Sequence, residues 1–283
     1  MEELSQEFLT TVIQPRPHHS HKGTFGRSVL IGGNETYGGA IIMSAEACLK
    51  SGSGLTSVIT AEKNHAALHA RLPEAMVLDW VLTQEFNDLV DTADVLLIGP
   101  GLGLSAHSEQ LLETVLQRQK PEQWLVLDGS AITLFAQNHY ALPYPEQVVF
   151  TPHQMEWTRL SGLKIGEQTF ENNQAMQKQL GATIILKSHR TELYMQNVQY
   201  KNPLGTPAMA TGGMGDTLAG MITGFLAQFK DKEGAICAAV YLHSLIGEEL
   251  GKENYVVLPT EISKNLPHYM KRFERLKNKT EEK

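Results

Sequence analysis

Six short runs of branched apolar residues recur along this chain, and they restrict its fold more than any other feature. They are SVLIGG (Ser28–Gly33), LTSVIT (Leu55–Thr60), VLLIGPG (Val95–Gly101), WLVLDG (Trp124–Gly129), VVFTPH (Val148–His153) and TIILKS (Thr183–Ser188). Their residues are continuously apolar, so these runs are expected to be strands buried on both faces, as in a parallel sheet. Gly39–Gly52, Ser105–Gln119 and Gln168–Leu180 read as helices between them, and a short helix is expected after His153. Strand, helix and strand in succession make the parallel crossover unit. TELYMQNVQY (Thr191–Tyr200) does alternate, which predicts a hairpin on the sheet edge. Three helices, Gly215–Phe229, Glu233–Leu250 and roughly Thr260–Arg275, close the chain.

With 283 residues, 42% hydrophobic and 19% charged, the chain can bury one large core, and no linker or repeat divides it. The expected fold is a single α/β domain over residues 1–283, with a doubly wound, mostly parallel sheet flanked by helices. A net charge of −7 argues against a nucleic-acid partner. The locally basic MKRFERLKNK (Met270–Lys279) reads as a solvated helix end and frayed tail. Cys48 and Cys237 both sit in apolar, helix-like runs, which suits reduced core thiols. No secretion signal or membrane span is visible, so a cytoplasmic protein is expected.

In a doubly wound sheet, ligands bind beyond the carboxyl ends of the strands. The unusual loops fall there: GGNETYGG, GPGLG, DGS, TPH and KSHRT each follow an apolar run. To these belongs ATGGMGDTLAG (Ala210–Gly220), where glycines open a helix and Asp216 sits in its first turn. Free amides and the positive end of the helix dipole can hold an anion there. A tight turn with a helix-end charge is the plainer alternative. The spacing is neither G-x-G-x-x-G nor the lysine-containing phosphate loop, so a Rossmann dinucleotide site is not supported. Further along the same helix, Gly220 and Gly224 lie four apart, which implies close contact with a neighbouring backbone.

Other residues are open to two readings each. GPGLG (Gly99–Gly103) lets a ligand touch backbone or merely turns the chain. Asp128 either braces loops or acts on a ligand, with Ser130 placed to cap the next helix. His153 and Glu156 in TPHQME are loop residues or site residues. Lys187 ends a buried strand, where an ammonium group is costly unless it meets an anion or snorkels out. His18, His19 and His21 make a polar N-terminal loop more readily than a metal site, and no zinc or serine-nucleophile motif occurs.

Taken in order, K-G-T-F-G-R-S-V-L-I-G-G, Y-G-G-A, G-P-G-L-G, D-G-S-A-I, T-P-H-Q-M-E, L-K-S-H-R-T and A-T-G-G-M-G-D-T-L-A-G carry a likeness that covers about Lys22 to Leu266. In this the chain closely resembles the ADP/ATP-dependent NAD(P)H-hydrate dehydratases, a branch of the ribokinase-like superfamily. The resemblance implies a ribokinase-like domain with its core at about residues 22–275 and without the N-terminal epimerase domain that many members carry. It implies repair of the S-epimer of NADH or NADPH hydrated at ring carbon C6, driven by ADP or ATP, with Mg2+ accompanying the nucleotide. A homo-oligomer, a tetramer in relatives, is the implied assembly.

The family's positions carry over residue by residue. Asp216 corresponds to the aspartate at the hydrated cofactor and is the candidate general base. Gly212, Gly213 and Gly215 would give amides to the transferring phosphoryl group. Ala40, Gly103 and His153 match contacts to the hydrated dinucleotide. Lys187, Ser188, His189, Arg190 and Thr191, with Gly215, match the adenine-nucleotide site. Family members often have glycine after this lysine, so Ser188, His189 and Arg190 depart from the pattern, and Met214 stands where a small residue is common. A small-molecule kinase of the same superfamily, acting on a sugar or vitamin alcohol, is the alternative; it would use Asp216 in the same way. A non-catalytic nucleotide-binding protein would not need that acid.

Overall fold

Each of the six apolar runs becomes a strand, and successive residues of a strand feed two different cores. In β5 (Val95–Ile98), Val95 and Leu97 pack into one core while Leu96 and Ile98 pack into the other. The same division separates Val126 from Leu125 and Leu127 in β6 (Trp124–Leu127), and Val149 from Val148 and Phe150 in β7 (Val148–Phe150). In β8 (Thr183–Leu186), Ile185 faces one core and Ile184 and Leu186 the other. Side chains alternate across a strand, so a sheet covered on both faces demands continuous apolar sequence.

This computed structural model describes residues 1–281, with side chains described through Glu274. The remaining strands are β1 (Glu2–Glu3), β2 (Arg27–Ile31), β3 (Leu55–Thr60), β4 (Met76–Asp79), β9 (Glu192–Tyr194) and β10 (Gln199–Lys201). They join one sheet in the order β1-β10-β9-β8-β7-β6-β5-β2-β3-β4. From β8 through β4 neighbouring strands run parallel, and only the pairs with β9 are antiparallel. The helices α1 (Glu7–Val12), α2 (Gly38–Lys50), α9 (Met214–Gln228), α10 (Lys232–Gly251) and α11 (Pro259–Glu281) pack on one face, together with α3 (His65–Arg71). The other face carries α4 (Gln84–Thr92), α5 (Ala106–Arg118), α6 (Ser130–Asn138), α7 (Gln154–Ser161) and α8 (Phe170–Leu180).

Some elements escape the sequence pattern for physical reasons. β4 is an outer strand with no buried residue, so its sequence carries no buried run. β1 is two exposed residues held only by pairing with β10, far away in the sequence. It also corrects the expected edge: the Thr191–Tyr200 hairpin forms, as β9 and β10, but β1 lies outside it. Ser130 does not cap α6. Gly129 holds the N-cap position, and the Ser130 hydroxyl instead accepts the Gly103 amide at 3.1 Å. Both cysteines are buried and unpaired with each other, and burial pushes the Cys48 thiol up to about 11. The basic stretch Met270–Lys279 lies on α11; its expected frayed part from Arg275 onward falls outside the described side chains, and residues 282 and 283 fall outside the described residues.

The glycine pair on α9 explains how that helix is placed. A Cβ at Gly220 would lie 2.1 Å from the Ser44 carbonyl oxygen, and one at Gly224 would lie 2.6 Å from that of Cys48. α9 therefore rests backbone to backbone on α2, and the Ser44 hydroxyl donates to the Asp216 carbonyl at 2.9 Å. Gly220→Ala should force the helices apart and lower stability by about 1–3 kcal/mol. Unfolding in denaturant measures it; an unchanged midpoint would mean that the contact relaxes without cost.

Candidate active site

The strand order reverses between β2 and β5, so the chain leaves these neighbours in opposite directions and opens a crevice at their carboxyl ends. Backbone bonds stitch the two loops together there: Gly33 N–H donates to Pro100 O at 2.9 Å and Asn34 N–H to Gly101 O at 2.7 Å. Gly101 sits at φ +61°, where a Cβ would lie 2.3 Å from the Tyr37 carbonyl oxygen. The GPGLG run is thus a backbone-to-backbone contact that leaves the crevice open above it.

The crevice extends into a cleft of about 780 Å³, bounded by Tyr37, Ala40, Leu104, His153, Glu156 and Asp216. A second cleft of about 500 Å³ lies on the other side of the α9 N-terminus. Lys187, Ser188, His189, Thr191 and Gly215 line it, and Leu204, Pro207, Met209 and Val240 make its walls largely apolar. The two expected ligand groups therefore fall on separate clefts that meet at Gly215 and Asp216.

Between them, α9 starts at Gly213, which has φ +92°. The first backbone bond of the helix runs from Thr217 N–H to Gly213 O at 3.0 Å, so the amides before it are left for an anion. A Cβ at Gly215 would lie 3.0 Å from Lys187 Nζ, so glycine there makes room for the ammonium group. Gly212 has open space around its Cβ position and no left-handed backbone, so only its amide bears on the expected role. Met214 is partly buried against the core.

Lys187 is the charged centre of the site. It follows β8, and its Nζ donates to Asp128 Oδ1 at 2.7 Å. The same Asp128 oxygen accepts from Thr151 Oγ1 at 2.6 Å. Burial works against the Lys187 charge, but Asp128, Glu156 and Asp216 outweigh it and raise its pKa. Asp216 is pushed up to about 6, first by burial and then by Asp128, with Lys187 opposing. A carboxylate so placed can take up a proton close to neutral pH.

His153 caps α7. Its Nδ1 accepts from Met155 N–H at 3.1 Å and Glu156 N–H at 3.3 Å, while Glu156 Oε2 accepts from His153 N–H at 2.8 Å. Burial, then Lys187 and Arg159, lower the His153 pKa. Glu156 is only 7% exposed, and burial is the main reason its carboxyl rises to about 7.

Two sequence-expected residues, Gly103 and Arg190, sit differently from the rest. Gly103 does not itself line the large cleft, although Gly101 and Leu104 beside it do; its amide is bonded to Ser130. Arg190 does not line the smaller cleft and faces Glu248 at 3.8 Å. Ser188 closes the intervening turn, its hydroxyl donating to Arg190 O at 2.8 Å and accepting from Arg190 N–H at 3.1 Å. Asp128 and Glu156 were each open to a structural reading in the sequence, and the fold brings both beside Lys187. Their signal was position alone, directly after strands of the carboxyl edge. His243 gave no signal; it lies in α10, lines the smaller cleft, and burial lowers it to about 4. His21 caps a single turn through Gly23 N–H at 3.1 Å, and among the described residues no group of three His, Cys, Asp or Glu side chains converges to hold a metal ion.

Known proteins resemble the chain along most of its length. A family model described as NAD(P)H-hydrate dehydratase matches residues 28–268. The ADP-dependent (S)-NAD(P)H-hydrate dehydratase of Enterococcus faecalis is 59% identical over 273 residues, which cover 96% of this chain and 94% of that protein. A crystal structure of a ribokinase-like superfamily protein from the same organism superimposes with a TM-score of 0.95 at 59% identity, covering 96% of each chain. The ADP/ATP-dependent NAD(P)H-hydrate dehydratase of Bacillus subtilis, co-crystallised with ATP and Mg2+, superimposes with a TM-score of 0.86 at 30% identity over 96% of this chain and 99% of that one. With a family model spanning most of its length and a relative this similar end to end, the chain belongs to the NAD(P)H-hydrate dehydratase family.

Proposed function

We propose that this protein is an ADP-dependent (S)-NAD(P)H-hydrate dehydratase that returns hydrated NADH or NADPH to the normal cofactor, giving AMP and phosphate. The observation that carries the reading is the meeting of two clefts at the start of α9, with Asp216 on one side and Lys187 on the other. Ala40, His153 and Asp216 face the larger cleft, which would take the hydrated dinucleotide. The Lys187–Thr191 turn and Gly215 would take the adenine nucleotide, with Arg190 holding the turn through Glu248 rather than touching the ligand.

The chemistry follows from the poor leaving ability of hydroxide. Asp216 removes the proton of the C6 hydroxyl, whose oxygen attacks the terminal phosphorus of ADP as AMP departs. Amides at the start of α9 and the Lys187 ammonium face the charge that builds on the phosphoryl oxygens. The C6–O bond then breaks with phosphate as leaving group, drawn by the lone pair of the ring nitrogen. Mg2+ would come bound to the nucleotide's phosphates and neutralise part of their charge; among the described residues no group of three His, Cys, Asp or Glu side chains would hold it. We also infer a single dehydratase domain and assembly of identical chains, most simply a tetramer. No helix of the described residues is long and apolar enough to cross a membrane.

A paired assay tests the reading. Purified protein with (S)-NADH hydrate should restore dihydronicotinamide absorbance when ADP is added, with AMP formed in equal amount. No recovery with ADP or ATP, from folded protein that binds nucleotide, would favour the kinase alternative.

A further inference from the structure

Restoring the ring requires two proton removals, and one residue accounts for only the first. Once phosphate leaves C6, the ring nitrogen and C6 share a double bond and the nitrogen is positive. A proton must then leave C5, its bonding electrons forming the C5=C6 double bond while the nitrogen regains its lone pair. Asp216 already carries the hydroxyl proton at that stage, so a second base is needed.

Two side chains beside it in the cleft can be compared. His153 receives two backbone N–H groups on Nδ1, so its neutral ring bears the proton on Nε2 and offers the cleft a donor, not a lone pair. Glu156 lines the same cleft as Asp216. Its Oε2 takes the His153 amide at 2.8 Å, and its Oε1 lies 3.5 Å from His153 Nε2, too far for a strong bond. A glutamate at this position of a helix start has an ordinary capping role, and such a role does not require burial near the Asp128 carboxylate. Resting on the reading that C6 is phosphorylated here, we propose that the Glu156 carboxylate takes the C5 proton in the step that rebuilds the ring. Burial, which raises this carboxyl to about 7, suits it to accept that proton near neutral pH and to release it afterwards.

Glu156→Gln separates the base from the cap, since glutamine serves the same helix-start position. With (S)-NADH hydrate and ADP, the variant should form about one equivalent of AMP per site in the first turnover. Absorbance recovery should then lag by about 10²–10⁴-fold. Substrate carrying deuterium at both C5 positions should slow recovery in Glu156→Gln but leave the first AMP unchanged. Glu156→Asp, with a shorter carboxylate, should regain part of the recovery. Recovery at the unaltered rate in Glu156→Gln would assign the C5 proton to the departing phosphate or to Asp216 and overturn the proposal. Loss of the first AMP in step with recovery would overturn it too, reducing Glu156 to a brace of the site. Failure of the unaltered protein to use ADP is a different result, and it would remove the dehydratase reading itself.

Discussion

Asp216→Asn should slow the ADP-dependent recovery of NADH by about 10²–10⁴-fold while ADP binds as before. The substitution keeps the shape of the side chain and removes its ability to take a proton. The Asp216 backbone stays tied to α2 through Ser44, so the start of α9 has no reason to move. The sign of the pH dependence follows from the raised pKa. Asp216 is ionised above about 6 and protonated below, so the rate of the unaltered protein should fall as pH drops through that value. The asparagine variant should lose this acidic limb. Single-turnover AMP formation across pH checks both points, and near-normal turnover in a folded variant would exclude Asp216 as the base.

Lys187→Ala should weaken ADP far more than the hydrated dinucleotide. Losing a charged hydrogen bond in a shielded site costs about 1.5–3 kcal/mol, roughly 10- to 150-fold in affinity. Lys187 lines only the nucleotide-side cleft, whereas the dinucleotide would meet its charge at a distance, through Asp216 and Glu156. The variant also strands a buried carboxylate: Asp128 is 2% exposed and keeps only Thr151 on the oxygen that Lys187 had shared. Removing one partner of such a pair destabilises by about 3–5 kcal/mol, so the unfolding midpoint should fall as well. Calorimetric titrations with each ligand and a denaturant curve measure the two effects. Equal losses for both ligands would contradict the placement of Lys187 on the nucleotide side.

Local rules carried much of the fold. Continuous Val, Ile and Leu runs identified the strands from β5 to β8, because double-sided burial leaves no room for polar alternation. Gly220 and Gly224 announced a close helix contact, since a missing Cβ has few other uses inside a helix. Where a strand is exposed, as β1 is, or only half-buried, as β4 is, the sequence has no buried run to show. The same limit explains Ser130: a serine after a strand fits a cap, and only the approach of the GPGLG loop turned its hydroxyl to Gly103.

The sequence by itself determined a doubly wound sheet, the edge on which its unusual loops gather, and an acid at a glycine-rich helix start. The resemblance of its ordered motifs pointed to the family. Charge state and contact were decided by the tertiary structure. Asp128, Glu156, Lys187 and Asp216 come from four separate segments, and folding brings them together, so that burial and neighbouring charge set the pKa values of Glu156, Lys187 and Asp216. Folding also set Arg190 against Glu248 and divided the expected site residues between two clefts. Strand and helix patterns are short-range and repeat along the chain, whereas desolvation and Coulomb energy depend on distances that exist only once the chain has closed on itself.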